Sequence, residues 1–219
     1  MTVTADQIAA LDAADPLAHF RDRFAIREGL IYLDGNSLGM LPKQTLARMQ
    51  QTVTQEWGEG LITSWLGADW VNSPQRIGDK IARLIGAEPG EVIAGESTSI
   101  NIFKALTAAL SLQKGRNVLL SETSNFPTDN YMMQGLARFS DGRLETREVA
   151  PDDVLGALDE NVAVLLLTQV HYKTARVRDM RAVTRAAHEA GALVVWDLSH
   201  SAGAIEVPPH GANADFAVG

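Results

Sequence analysis

The chain has 219 residues, enough for one large domain or one and a half, with an ample core. Lysine plus arginine number 19 against 27 aspartate plus glutamate, a net charge of −8 without a basic run, which argues against nucleic acid and anionic membranes as partners. The absence of cysteine excludes disulfides, thiolate nucleophiles and cysteine-based metal centres.

The amino terminus, MTVTADQIAALDAADPL, has neither the basic region nor the apolar stretch of a secretory signal. The longest strongly apolar run, residues 162–167, is far short of a membrane span, so a cytoplasmic protein is expected. Three of the four tryptophans, Trp57, Trp65 and Trp70, fall in the first seventy residues among glycines and short helical patterns. Leu46, Met49 and Val53 give residues 42–57 a helical period that stops at Gly58. Ser73-Pro74 opens a further helix through Ile77, Ile81, Leu84 and Ile85, closed by Gly86.

From Glu91 the pattern alternates. Strands are expected at 91–94, 117–121, 144–149, 162–168 and 192–198, with another beginning at 215–219. Helices are expected at 99–112, near 129–139, at 151–158 and from an Asp179 cap to Gly191. This alternation predicts an α/β fold: a mostly parallel sheet with helices on both faces, preceded by a helical N-terminal segment. Residues 1–70 read as an N-terminal arm and 71–219 as the first part of a large domain. Because the chain stops within an apparent strand, it is expected to be part of a longer one.

Chemistry-bearing residues follow successive strands. The run 192–198 is a buried parallel strand whose Asp197 lies at the carboxyl end, where open α/β sheets bind their ligands. A carboxylate there can keep a pyridine nitrogen protonated; the plainer reading is a loop acid that caps the next turn. Asp197 and His200 alone make no metal site, and no GxSxG elbow supports a serine triad. Ser97, Thr98 and Ser99 open a helix and offer an anion cradle or an ordinary N-cap. Phe126, Pro127, Thr128 and Asp129 offer an aromatic plate and a polar group, or a hydrophobic residue before a capped helix with Thr128 or Asp129 as cap. Thr168 ends the next strand, ahead of His171 and Tyr172. An early turn, residues 34–39, contains Asn36 and Ser37. An anion cradle, an aromatic plate, a threonine and an aspartate thus converge on one sheet edge.

These segments resemble the kynureninase family, pyridoxal-phosphate enzymes of the aspartate-aminotransferase superfamily, from about Tyr32 to Gly219. The resemblance rests on residues 32–39, the stretch between Trp57 and Trp65, residues 97–101, Phe126-Pro127-Thr128-Asp129, Val170-His171-Tyr172 and Asp197-Leu198-Ser199-His200. The Phe-Pro-Thr-Asp segment is the most specific of these. The resemblance implies pyridoxal 5'-phosphate as cofactor. Ser97 and Thr98 would touch its phosphate and Phe126, beside Pro127, would stack on its ring. Thr128, Asp129 and Thr168 would hold the ring and its oxygen, Asp197 its nitrogen, and His200 would support the site. Asn36, Ser37 and Trp65 would border the substrate. It further implies hydrolysis of L-kynurenine, or 3-hydroxykynurenine, to anthranilate, or 3-hydroxyanthranilate, and L-alanine in tryptophan catabolism, by a homodimer. The family's Schiff-base lysine and carboxylate-binding arginine match no residue here. A cysteine-desulfurase-like enzyme, a transaminase and a catalytically inactive piece remain open alternatives.

Overall fold

The tryptophan-rich first segment is built from helices and turns in a computed structural model that describes residues 3–219; the first two residues of the expected 1–70 segment lie outside the described residues. Helix α1 (Ala5–Ala14) starts with a reciprocal cap, in which Thr4 Oγ1 accepts the Gln7 N–H and Gln7 Oε1 accepts the Thr4 N–H. Helix α2 (Lys43–Gln51) then widens into a π-helical stretch, Thr52–Glu59, where the sequence period indicates one helix over 42–57. A 3-10 turn (Leu61–Thr63) and the short α3 (Ser64–Gly67) follow. Contacts divide the chain into two units, Met1–Val71 and Asn72–Gly219.

In the second unit, α4 (Ser73–Ile85) ends where Gly86 turns left-handed at φ +68°, as its sequence predicts. Helix α5 (Thr98–Leu112), α6 (Pro127–Phe139), α7 (Met180–Glu189) and the short α8 (Pro209–Ala212) alternate with five strands. These are β1 (Val118–Glu122), β2 (Glu145–Val149), β3 (Val162–Thr168), β4 (Leu193–Asp197) and β5 (Phe216–Val218). All pairings are parallel, in the order β2-β1-β3-β4-β5. The central β3 is buried along its whole length, which explains a continuous apolar run in place of alternation.

Successive side chains still divide between two cores. Leu165, Leu167, Val194 and Trp196 face one core with Ile85, Val154 and Val183. Leu166 and Val195 face the other with Ile102 and Leu106 of α5 and Met133 of α6. Burying these runs on both faces is the main apolar gain of the unit. The expected parallel sheet, covered on both faces, is the observed one. Among the described residues no helix is long and apolar enough to cross a membrane.

Two expected elements are absent. Residues 91–94 do not join the sheet, because their backbone bonds to α4 instead. Gln75 Nε2 donates to Val92 O at 3.0 Å and the Ala94 N–H to Pro74 O at 3.0 Å. Gly78 permits that approach, since a Cβ there would lie 1.9 Å from Val92 O. Residues 151–158 form successive turns and no helix. Arg147 takes the Ala157 carbonyl at 2.9 Å and the Asp159 carboxylate at 2.8 Å, which ends the coil after one turn.

Candidate functional site

The parallel register sets Thr168 beside Asp197 at the carboxyl ends of β3 and β4. Two residues earlier, Leu166 and Val195 face the core under α5 and α6, so both polar side chains lie on that face. Helix α6 begins at the same edge, because it follows β1 after a short turn. Its first turn carries Asp129, buried to 2% exposure. Pro127 sits in that turn, where its missing N–H costs nothing. Phe126 occupies the cap position and no side chain caps α6, so neither Thr128 nor Asp129 is the cap.

Around Thr168 the protons can be counted. Its hydroxyl lies 2.5 Å from Asn125 Oδ1, 3.2 Å from Asp197 Oδ2 and 3.5 Å from Asp129 Oδ2. Asn125 Oδ1 also accepts the Phe126 N–H at 2.9 Å, which fixes its amide orientation. The single Thr168 proton therefore goes to Asn125, and three carboxyl and carbonyl oxygens cannot share it. Asp197 Oδ1 accepts both the Ser199 N–H at 2.8 Å and the Ser199 hydroxyl at 2.6 Å. Asp129 and Asp197 are both buried, at 2% exposure each. Two carboxyls buried side by side disfavour a second negative charge. Burial and the adjacent Asp197 push the Asp129 carboxyl up to about 8.

Beside this pair stands an aromatic platform. Phe126 meets Tyr172 edge-on with centroids 5.1 Å apart and lies 6.5 Å from the His200 ring. His171 stacks on Tyr172 at 5.3 Å. Nδ1 of His171 accepts the N–H groups of Lys173 and Thr174, so Nε2 carries the proton and donates to Ser124 Oγ at 3.1 Å. Behind it the buried Glu122 pairs with Arg178.

Helix α5 ends shortly before β1 begins, so its N-terminus points to the strands' carboxyl edge. Ser97 caps it, accepting the Ile100 N–H at 3.5 Å, and leaves its own hydroxyl proton to donate. Thr98 is the first helical residue. In the other unit, the Ser37 hydroxyl donates to Asp34 at 2.8 Å within the turn that also holds Asn36, and Trp65 packs edge-on against Trp70.

Asp129, Thr168 and Asp197 thus form one cluster, and Phe126 and His200 a second, while Ser97 and Thr98 stand at the start of α5 and Pro127 and Thr128 in the first turn of α6. Sequence reasoning missed Asn125 and Ser199 as members. Ser199 carried a signal, since a serine two residues after an aspartate is a common turn partner. Asn125 carried none, because its contact with Thr168 spans 43 residues. Chemically, a carboxyl pair sharing a proton, a half-exposed aromatic face and a helix N-terminus suit a flat cationic ring that bears an anionic group.

Residues 31–219 match the family model described as Aminotransferase class-V. The chain is 49% identical over 221 residues to a kynureninase of Pseudomonas fluorescens, covering 99% of this chain and 53% of that protein. It is 52% identical over 218 residues to a kynureninase of Deinococcus radiodurans, covering 97% and 53%. The chain therefore spans about half the length of these curated relatives. Among solved structures, a C-DES K223A mutant with glycine covalently linked to its PLP cofactor superposes with a TM-score of 0.75 at 15% identity, over 90% of this chain and 54% of that one. A cysteine desulfurase from Thermococcus onnurineus NA1 gives 0.69 at 19% identity, over 90% and 51%. At such identities the likeness concerns the fold alone. With six-sevenths of its length inside the family model, the chain belongs to the aminotransferase class-V family.

Proposed function

We propose that the protein carrying this chain is a pyridoxal-phosphate-dependent hydrolase that splits L-kynurenine into anthranilate and L-alanine. The observation that carries the cofactor is the buried Asp129–Asp197 pair at the carboxyl ends of the strands, beside the Phe126 ring. The substrate rests on about 50% identity to kynureninases over nearly the whole chain.

The residues present fit the cofactor. Asp197 would hold the ring nitrogen, Phe126 would stack on the ring with Pro127 and Thr128 shaping its edge, and Thr168 would meet the ring oxygen. Ser97 and Thr98, with the backbone at the start of α5, would hold the phosphate. When bound, pyridoxal phosphate supplies an electron sink for bond cleavage at the substrate's carbon atoms. Burial and Asp197 push the Asp129 carboxyl up to about 8, and the Asp197 carboxyl would favour a cationic ring nitrogen by direct charge pairing. The two bonds from Ser199 fix Asp197 Oδ1 and so set the plane of the carboxylate. His200 supports the platform, and Asn36, Ser37 and Trp65 border the substrate. No lysine of this chain is assigned the α-proton. Residues 1–70 would serve the substrate cleft and 71–219 the first part of the cofactor domain. A homodimer in the cytoplasm completes the proposal.

The test is direct. The protein expressed from its complete reading frame, supplied with pyridoxal phosphate and L-kynurenine, should release anthranilate and alanine in equal amounts. Sulfide from cysteine, or amino transfer to an oxo acid, with no anthranilate would replace this reading by the desulfurase or transaminase alternative.

A further inference from the structure

Trp65 stands on a short segment fastened at both ends to one residue, Glu56. Its carboxylate accepts the Trp70 indole N–H at 2.8 Å, and its backbone carbonyl accepts the Ser64 hydroxyl at 2.5 Å. Ser64 immediately precedes Trp65, while the Trp70 ring meets the Trp65 ring edge-on with centroids 6.3 Å apart at 76°. The Val71 N–H returns to Trp65 O at 3.1 Å and closes the loop. Arg48 pairs with the other Glu56 oxygen at 2.5 Å. The bonds from Arg48 and then Trp70 hold the Glu56 carboxyl below the usual carboxylate range.

The π-helical stretch Thr52–Glu59 contains Glu56, and such stretches tend to mark functional positions. Gly60 is required for the second tether. A Cβ there would lie 2.7 Å from Glu56 O and 2.1 Å from Ser64 Oγ. These tethers serve little burial, because the Trp65 side they hold remains 51% exposed. An indole that is both fixed and exposed offers a preset face to another aromatic ring.

We infer that Glu56 is a positioning residue, which holds Trp65 through Trp70 and Ser64 as a rigid wall selecting substrates with an aryl side chain. The inference rests on the kynurenine reading for the substrate, but not for the tether.

The experiment uses the protein from its complete reading frame with the variants Glu56→Ala, Glu56→Gln and Trp70→Phe. Two readouts are taken: the near-ultraviolet dichroism of the Trp65–Trp70 pair, identified by its loss in Trp65→Phe, and kcat and KM for L-kynurenine. Glutamine keeps an acceptor for the indole N–H and removes the charge facing Arg48. Glu56→Ala should weaken the dichroic band and raise KM about tenfold, with kcat changed less than about threefold. Trp70→Phe should raise KM alike, and Glu56→Gln should hold both readouts within about twofold of wild type. An unchanged band and KM in Glu56→Ala would overturn the inference. So would a Glu56→Gln variant as impaired as Glu56→Ala, which would assign the effect to the Arg48 pair. Should Glu56→Ala fail to fold, Glu56→Gln and Trp70→Phe decide between the same outcomes. If the wild type releases no anthranilate, the substrate reading fails, and the dichroic band alone still decides the tether.

Discussion

Asp129 carries the sharpest consequence of a single side chain. Its carboxyl titrates near about 8 in the fold and near 3.8 when unfolded, because burial and Asp197 disfavour a second charge. Between those values the folded chain holds one proton more than the unfolded chain. The stability tied to this group is therefore complete below about pH 4, is lost as pH rises and levels off above about 8. Asp129→Asn should remove that slope between pH 5 and 7.5, leaving the variant similar to wild type at pH 5 and more stable at pH 7.5. Urea midpoints at three pH values check it, and parallel pH profiles would contradict the shared proton. Asp197 was legible as an acid that ends an apolar run. The proton on Asp129 was not, since it depends on burial in the folded core and on Asp197, 68 residues further along the chain.

At the level of elements, punctuation was legible wherever it acts locally. Ser97 and Asp179 accept the N–H groups three residues on, and Gly86 and Gly191 turn left-handed after α4 and α7. Failures came where a distant partner outbids the local pattern. Residues 91–94 have the composition of a strand, yet α4 takes their backbone bonds; residues 151–158 resemble a helix, yet Arg147 claims the Ala157 carbonyl. Widening of the helix at Thr52 was invisible to a period count, because the apolar positions keep their spacing across it. Gly78 gives a test at this scale. Gly78→Ala must push α4 away from Val92, so it should destabilise the second unit by about 2–3 kcal/mol despite alanine's better helix propensity. A thermal or urea midpoint at or above wild type would show that 91–94 is not held against α4.

Across the molecule, one topological rule gathers the site. All five strands run parallel, so the ends of β1, β3 and β4 and the starts of α5 and α6 share one edge, and residues far apart in sequence meet there. Fold class was legible for that reason: alternation alone implies the edge, and successive strand ends mark its occupants. Contact geometry between those occupants was not, because it depends on register and on loops such as the Asn125 turn. The two units keep separate tasks in this account: Asn72–Gly219 presents the acid pair and the aromatic plate, and Met1–Val71 holds Trp65 in place through Glu56. Asp197 is proposed to hold the nitrogen of a pyridoxal-phosphate ring. Titrating pyridoxal phosphate into wild-type protein and into Asp197→Asn, with binding read from tryptophan fluorescence, tests it most directly. The variant should bind roughly 10- to 100-fold more weakly, the loss of one charged hydrogen bond in a dry site. Equal affinity in the two proteins would place the ring elsewhere and contradict it.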